Sequence, residues 1–350
     1  MGNLIVVDRT RIEADWTCPR RRYWLTEYQG TGVVPSIQAP ALRFGILVHE
    51  GLEVLTRTDD RAAALAHMQQ MEEWQASTLN EQLLAEALLV GFALSVWPKW
   101  VSEYERVGIE QELEMEHDGV LYMVRPDVLL RDTTSGDIWY PDFKTFTGGW
   151  KNRKWMHALQ QQLTVLACEK AVGEPITGAW VQGLNKGYVR AGKLYHPLVY
   201  GYRKHGAPGL YATQYTLKRK AGFERFPAMH YENDTSGERG IGAWIRHLLR
   251  TEAQVVRDCF PATQPIFLNR AMMTQFLEQR TRREKEIAAA TDLTAFPQTF
   301  SACEPYFGTC PYLECCWEPN TGQDPVGSGL YIERTPHHAA ERQLKEGSND

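Results

Sequence analysis

The strongest constraint on the fold is a pair of strand-like apolar runs, "MVRPDVLLRD" and "IWYPDFKTF", separated by the turn signal "TTSGD". Small polar residues and a glycine close a reversal there, so the two runs are expected to pair as a hairpin. Each run carries an acid, Asp127 in the first and Asp142 in the second, with Lys144 two residues beyond. Alternate side chains of a strand share a face, so Asp142 and Lys144 project together while Phe143 points away. Two carboxylates and an ammonium group are thereby expected at one site. Carboxylate oxygens are hard donors suited to a divalent cation, and a lysine beside an activated water suits phosphodiester chemistry.

A chain of 350 residues with 43% hydrophobic content can bury a large core, as one elaborated domain or two smaller ones. The formal charge of −5 argues against a generally basic coat for nucleic acid. DNA binding would need a local groove, for which Lys218, Arg219, Lys220 and Arg225, and Lys151, Arg153 and Lys154, are the candidates. No run approaches the roughly 18 consecutive apolar residues of a membrane span, and the first residues lack the apolar core of a secretory signal. A cytoplasmic location without membrane partners is the expectation. Of the seven cysteines, four crowd between Cys303 and Cys316. In a reducing compartment that crowding points to metal or cluster ligation rather than to disulfides.

Along the chain, a helical N-terminal region (1–107) begins with a short helix capped by Asp8. A second helical pattern from Ala41 to Thr56 puts Gly45, His49, Leu52 and Glu53 on adjacent turns of one face. Strand character takes over near Gly108, with "IEQELEME", "VLYMVRPDVLL" and "DIWYPDFKTF", the first two joined by the turn His117, Asp118, Gly119. A helix, "MHALQQQLTVLACEKAVG", and a further apolar strand, "ITGAWVQGL", complete a mixed α/β core within 108–260. A C-terminal helical and cysteine-bearing region (261–320) and a loosely held polar tail (321–350) follow.

The order His49, Asp127, Asp142-x-Lys144, Gln162 resembles the PD-(D/E)xK nuclease superfamily, and within it the RecB-like exonuclease branch with its CRISPR-adaptation relatives. The resemblance spans Cys18 to Cys316 and implies an α/β, restriction-endonuclease-like mixed sheet flanked by helices. It also implies that Asp127, Asp142, the backbone carbonyl of Phe143 and His49 hold Mg2+ or Mn2+. Lys144 would orient the attacking water or stabilise charge on phosphorus, and Gln162 would fix the lysine or the substrate backbone. Leu166 stands where the family usually has a tyrosine, a departure that removes a hydroxyl from that helix.

The segment "SACEPYFGTCPYLECCWEP" with the distant "WTCPRRRYW" resembles RecB-like nucleases that carry a 4Fe-4S cluster. The implied ligands are Cys18, Cys303, Cys310 and Cys316, with Cys315 the alternative to Cys316 and Zn2+ the alternative metal. Such a cluster would clamp the two chain ends together. Cys168 and Cys259 are expected to be packing residues. Trp139, Tyr140, Trp150 and Trp155 surround the site in sequence, as core or as surfaces for unpaired bases. No phosphate-binding Gly-x-x-x-x-Gly-Lys-Ser/Thr pattern occurs, so unwinding would fall to a separate helicase or recombination protein. The function implied is a metal-dependent deoxyribonuclease, an exonuclease of recombination, repair or bacteriophage replication acting on single strands or duplex ends. The alternatives are a non-catalytic DNA-binding or assembly subunit and an endonuclease on the same fold.

Overall fold

A computed structural model describes residues 5–109, 111–147, 159–187, 189–190, 193–194, 196–199, 241–267, 269–290, 293–303 and 309–336. The two basic clusters, and Trp150 and Trp155, lie outside the described residues. In chain order the strands are β1 (Ile5–Asp8), β2 (Val33–Pro35), β3 (Tyr104–Ile109), β4 (Leu113–His117), β5 (Val120–Val124), β6 (Val128–Asp132), β7 (Ile138–Phe146), β8 (Ile176–Asn185), β9 (Val189–Arg190), β10 (Lys193–Leu194) and β11 (Tyr331–Glu333). The central sheet has the order β3-β6-β7-β8, antiparallel except for the parallel pair β7 and β8. A second sheet has the order β1-β5-β4. Helices cover the central sheet, which makes this the mixed α/β, restriction-endonuclease-like architecture expected from the sequence.

The "TTSGD" hairpin forms, with Leu130 opposite Trp139 and Arg131 opposite Ile138. Asp132 ties the turn by accepting from the N–H groups of Thr134 and Ser135, and Gly136 supplies a left-handed φ of 80°. The β4–β5 hairpin turns on Asp118 and Gly119, at φ 48° and 78°, the paired left-handed conformation that matches strand twist.

One expectation needs correcting. "VLYMVRPDVLL" is not a single strand: β5 ends at Val124 and β6 begins at Val128, in different sheets. Pro126 has no N–H to give a ladder and restricts the residue before it, so the chain breaks there and steps between sheets. Asp127 stands at that step. β1, read from sequence only as the approach to a helix, pairs in parallel with β5, Asp8 opposite Met123.

The two faces of β7 are covered differently. On one, Phe143 stacks on Trp100 at 5.8 Å, beside the helices Pro40–Thr58 and Leu79–Ser95. Proline at the start of the first and a Thr78–Glu81 capping box at the start of the second define their N-termini. Gly51 lets the first approach helix Arg61–Gln70, since a Cβ there would lie 2.3 Å from the sulfur of Met68. On the other face the helix Leu159–Val172 packs Val165 and Cys168 against Leu129, Ile138 and Tyr140. The stretch Leu79–Glu103 is long and apolar enough to cross a membrane by length and composition. Its residues Leu84, Leu88, Phe92 and Trp100 are instead buried in the main core.

The chain ends meet through polar contacts. Glu284, fully buried on helix Arg270–Ala288, accepts from Arg22 at 2.9 Å and from Arg280, and Arg280 reaches Asp15 at 3.1 Å. Of the loosely held tail expected over 321–350, residues 337–350 lie outside the described residues, and the part before them is tied to the fold. β11 pairs antiparallel with β2, and the buried Arg334 donates to the Thr31 carbonyl at 2.9 Å. Tyr331 and the aromatic side chains beneath it bury enough apolar surface to order this segment, which its polar neighbours disguise in sequence.

Candidate active site

Continuing the β6–β7 register three residues past Leu130 and Trp139 brings Asp127 opposite Asp142. The backbone completes the junction: the Phe143 N–H donates to Asp127 Oδ2 at 2.6 Å. Both carboxylates are buried, Asp142 at 1% exposure and Asp127 at 9%. Lys144, on the same face as Asp142, places its ammonium 2.8 Å from the carboxylate and 3.1 Å from the Phe143 carbonyl. The strand alternation read from sequence therefore produces the intended cluster.

His49 joins from the helix Pro40–Thr58, which runs across the end of β7. Its Nδ1 lies 3.5 Å from Asp127 Oδ1, and its ring meets that of Phe143 edge-on at 6.3 Å. Burial disfavours the charged form of Asp127, but the His49 charge and hydrogen bond, Lys144 and the Phe143 N–H together hold its carboxyl below the usual range. Gly45 lies one turn before His49, where an added Cβ would make only ordinary contact with Thr145. Gln162 is half-buried on the facing helix and makes no hydrogen bond among the described residues. Leu166, the departure from the family pattern, packs into the two apolar clusters under that helix.

The parts played by Tyr140 and Glu53, both named in the sequence, were missed by sequence reading. Tyr140, fully buried, donates its hydroxyl to Asp142 Oδ1 at 3.0 Å. Burial beside Asp142 and Asp127 raises its pKa well above the ordinary value, so it remains a donor. The alternation that pairs Asp142 with Lys144 runs equally one step backward to Tyr140, which was the available signal. Glu53, one turn beyond His49, holds Arg57 and Arg125, the latter at 3.0 Å, and so fixes the residue two before Asp127.

The cysteines fall into two settings. Cys18 Sγ accepts from the Thr299 N–H at 3.3 Å, and Cys303 Sγ lies 4.0 Å from the Thr299 carbonyl. The Cys310 N–H donates to the Cys303 carbonyl at 2.9 Å, and burial raises the Cys310 thiol above its ordinary value. Cys315 is buried in an apolar cluster with Trp24, Val33, Tyr312 and Tyr331, against which Cys310 and Cys316 also pack, and burial pushes its thiol up to about 11. Cys168 and Cys259, both buried, are pushed up to about 12 by burial and behave as packing residues. Among the described residues, no three His, Cys, Asp or Glu side chains gather closely enough to hold a metal ion.

Two acids and a lysine thus converge on one backbone segment at the end of neighbouring strands of a mixed sheet. Consistent with that geometry, a family model of the PD-(D/E)XK nuclease superfamily matches residues 9–317, and the chain belongs to that superfamily. No curated protein matches it significantly.

Proposed function

We propose that this protein is a divalent-metal-dependent deoxyribonuclease, an exonuclease of the RecB-like branch working in recombination, repair or phage replication. The observation that carries the reading is the convergence of Asp127, Asp142 and Lys144 on the backbone of Phe143. The donor set suits a hard cation. Two carboxylates and a carbonyl meet there, and an ammonium group is already seated on the Asp142 carboxylate and the Phe143 carbonyl. Asp127, Asp142 and the Phe143 carbonyl would hold Mg2+ or Mn2+, which supplies activation of water and charge neutralisation at phosphate.

The chain's own residues do the rest. Tyr140 fixes one oxygen of Asp142, and the Phe143 N–H fixes one oxygen of Asp127, so neither carboxylate has to reorganise. His49 keeps Asp127 ionised and aimed. Lys144, drawn off Asp142, places positive charge where negative charge grows on phosphorus. Gln162 orients the lysine or the substrate backbone across the same face. By the resemblance, Cys18, Cys303, Cys310 and Cys316 would bind a 4Fe-4S cluster or zinc, although their side chains do not gather in this structure closely enough to hold one. Cys315 is the alternative to Cys316 as the fourth ligand.

The test is degradation of linear duplex, covalently closed circular and single-stranded DNA by the purified protein with Mg2+ or Mn2+. Linear substrates should be digested from their ends, circles spared, and Asp127→Ala and Asp142→Ala should abolish cleavage without loss of fold. Cleavage of closed circles would favour an endonuclease. Absence of metal-dependent cleavage, or full activity in both variants, would refute the assignment.

A further inference from the structure

The face of β7 turned away from Asp142 and Lys144 carries an open aromatic cleft. Strand alternation puts Trp139 on that face with Phe143, and β8 sets Gly178 opposite Trp139 and Trp180 opposite Pro141. A Cβ at Gly178 would lie 2.7 Å from the Ile266 carbonyl oxygen and 3.0 Å from the Trp139 ring, so the missing side chain makes room for that ring. Trp180 stands at the centre, its ring centroid 5.6 Å from that of Trp100, 5.9 Å from Tyr104 and 6.0 Å from Trp139. The segment 262–266 closes one side by bonding to β8: the Thr263 N–H donates to the Val181 carbonyl at 3.0 Å and the Ile266 N–H to the Ala179 carbonyl at 2.7 Å. Lys99 and Glu103, an exposed pair 3.8 Å apart, stand at the rim.

Rings that only roofed the sheet would seal it, but these leave a cavity of about 220 Å3 lined by Trp100, Tyr104, Trp139, Trp180, Gln182 and Thr263. Trp100 and Trp180 are only 6% and 9% exposed, yet neither indole N–H meets an acceptor among the described residues. The neighbouring Trp97 shows the usual outcome, its N–H donating to Asp59 at 3.0 Å. Buried polar groups normally find such partners, so two donors in the cleft walls are left for a ligand that brings acceptors. A nucleobase has that chemistry: its faces stack on aromatic rings, and its edge carries oxygen and nitrogen acceptors for indole N–H groups. The volume falls below the roughly 300–1,000 Å3 of pockets for drug-sized ligands, which suits one ring system. We propose that this cleft is a second binding site of the protein, taking a single nucleobase on the opposite face of the sheet from the acid and lysine cluster. The base belongs either to a free nucleotide or to an unpaired position in a strand.

The experiment is titration of the full chain with deoxyadenosine in EDTA, followed by saturation-transfer NMR and calorimetry. Saturable binding is expected, and neither inorganic phosphate nor benzene, a ring without acceptors, should displace the nucleoside. Trp139→Leu keeps apolar bulk and removes a stacking face, so it should weaken binding roughly 5- to 100-fold, the range for loss of one stack between a base and an aromatic side chain. Trp100 is left unaltered because it stacks on Phe143. Ala262→Phe, at an exposed position on the cleft wall, should fill the cavity and abolish binding, and it decides the matter if Trp139→Leu fails to fold. A tetradeoxyadenylate whose binding Ala262→Phe weakens assigns the base to a strand; one whose binding is unchanged assigns it to free nucleotides. No saturable binding of deoxyadenosine, full displacement by phosphate or benzene, or wild-type affinity in Ala262→Phe overturns the proposal. Metal and cleavage play no part in these measurements, so the cleft is judged apart from the nuclease reading.

Discussion

Lys144 occupies the donors that a divalent cation needs, so replacing it should separate metal binding from catalysis. Its ammonium lies 2.8 Å from the Asp142 carboxylate and 3.1 Å from the Phe143 carbonyl, and its side chain is only 16% exposed against 1% for Asp142. A hydrogen bond to a charged group contributes about 1.5–3 kcal/mol, and a cation entering the site must displace at least one such bond. Lys144→Met keeps the stem and removes the competitor, so Mn2+ affinity should rise by roughly 10- to 100-fold, each 1.4 kcal/mol being a factor of ten. Cleavage should nevertheless fall on the order of 100- to 1,000-fold, because the charge that balances the transition state is gone. Calorimetric or paramagnetic titration with Mn2+ measures the first effect and single-turnover cleavage of labelled duplex the second. Weaker Mn2+ binding together with undiminished cleavage would refute both the seat of the cation and the role of the lysine.

Glu284→Ala leaves the buried Arg22 and Arg280 guanidiniums without their shared carboxylate and should cost about 3–5 kcal/mol, read from urea unfolding. A loss below about 1 kcal/mol would mean the network contributes little. Buried His196 accepts from the Leu198 N–H through Nδ1 at 3.3 Å and approaches the Asn185 carbonyl through Nε2 at 2.6 Å, and burial pushes its pKa down from 6.5 to about 4. The unfolded chain takes up this proton first. Its contribution is therefore intact above pH about 6.5 and lost as pH falls toward 4, amounting to about 3 kcal/mol. A His196→Gln variant should lose that part of the pH dependence of Tm, and an unaltered profile would count against the buried neutral ring. Anaerobically purified protein should absorb near roughly 400 nm through thiolate-to-iron charge transfer. Cys18→Ser and Cys316→Ser should abolish the band and Cys315→Ser spare it, with the reverse pattern exchanging the two adjacent cysteines.

Much of the site was legible because strand alternation acts over two residues and needs no knowledge of the rest of the chain. Asp142 and Lys144 had to share a face once β7 was extended, and the turn before it had to bring Asp127 alongside. The same rule would have reached Tyr140 had it been applied one step further. What failed in the reading were cases in which a local pattern has two outcomes. The apolar run through Pro126 looked continuous, although a residue without an N–H divides it between two sheets. The segment after Thr321 looked unheld, although β11 finds a partner in β2, about three hundred residues earlier.

Local chemistry in the sequence thus determined the elements and the identities of the reacting groups: which runs extend, where they turn, and which acids and lysine lie on one face. Tertiary structure decided what those groups meet. His49 reaches Asp127 only because a distant helix crosses the end of β7, and β1 finds its partner only in β5. The physical reason is range: alternation and capping operate within a few residues, whereas these approaches depend on packing and strand pairing between segments separated by about a hundred, whose partners no local pattern names.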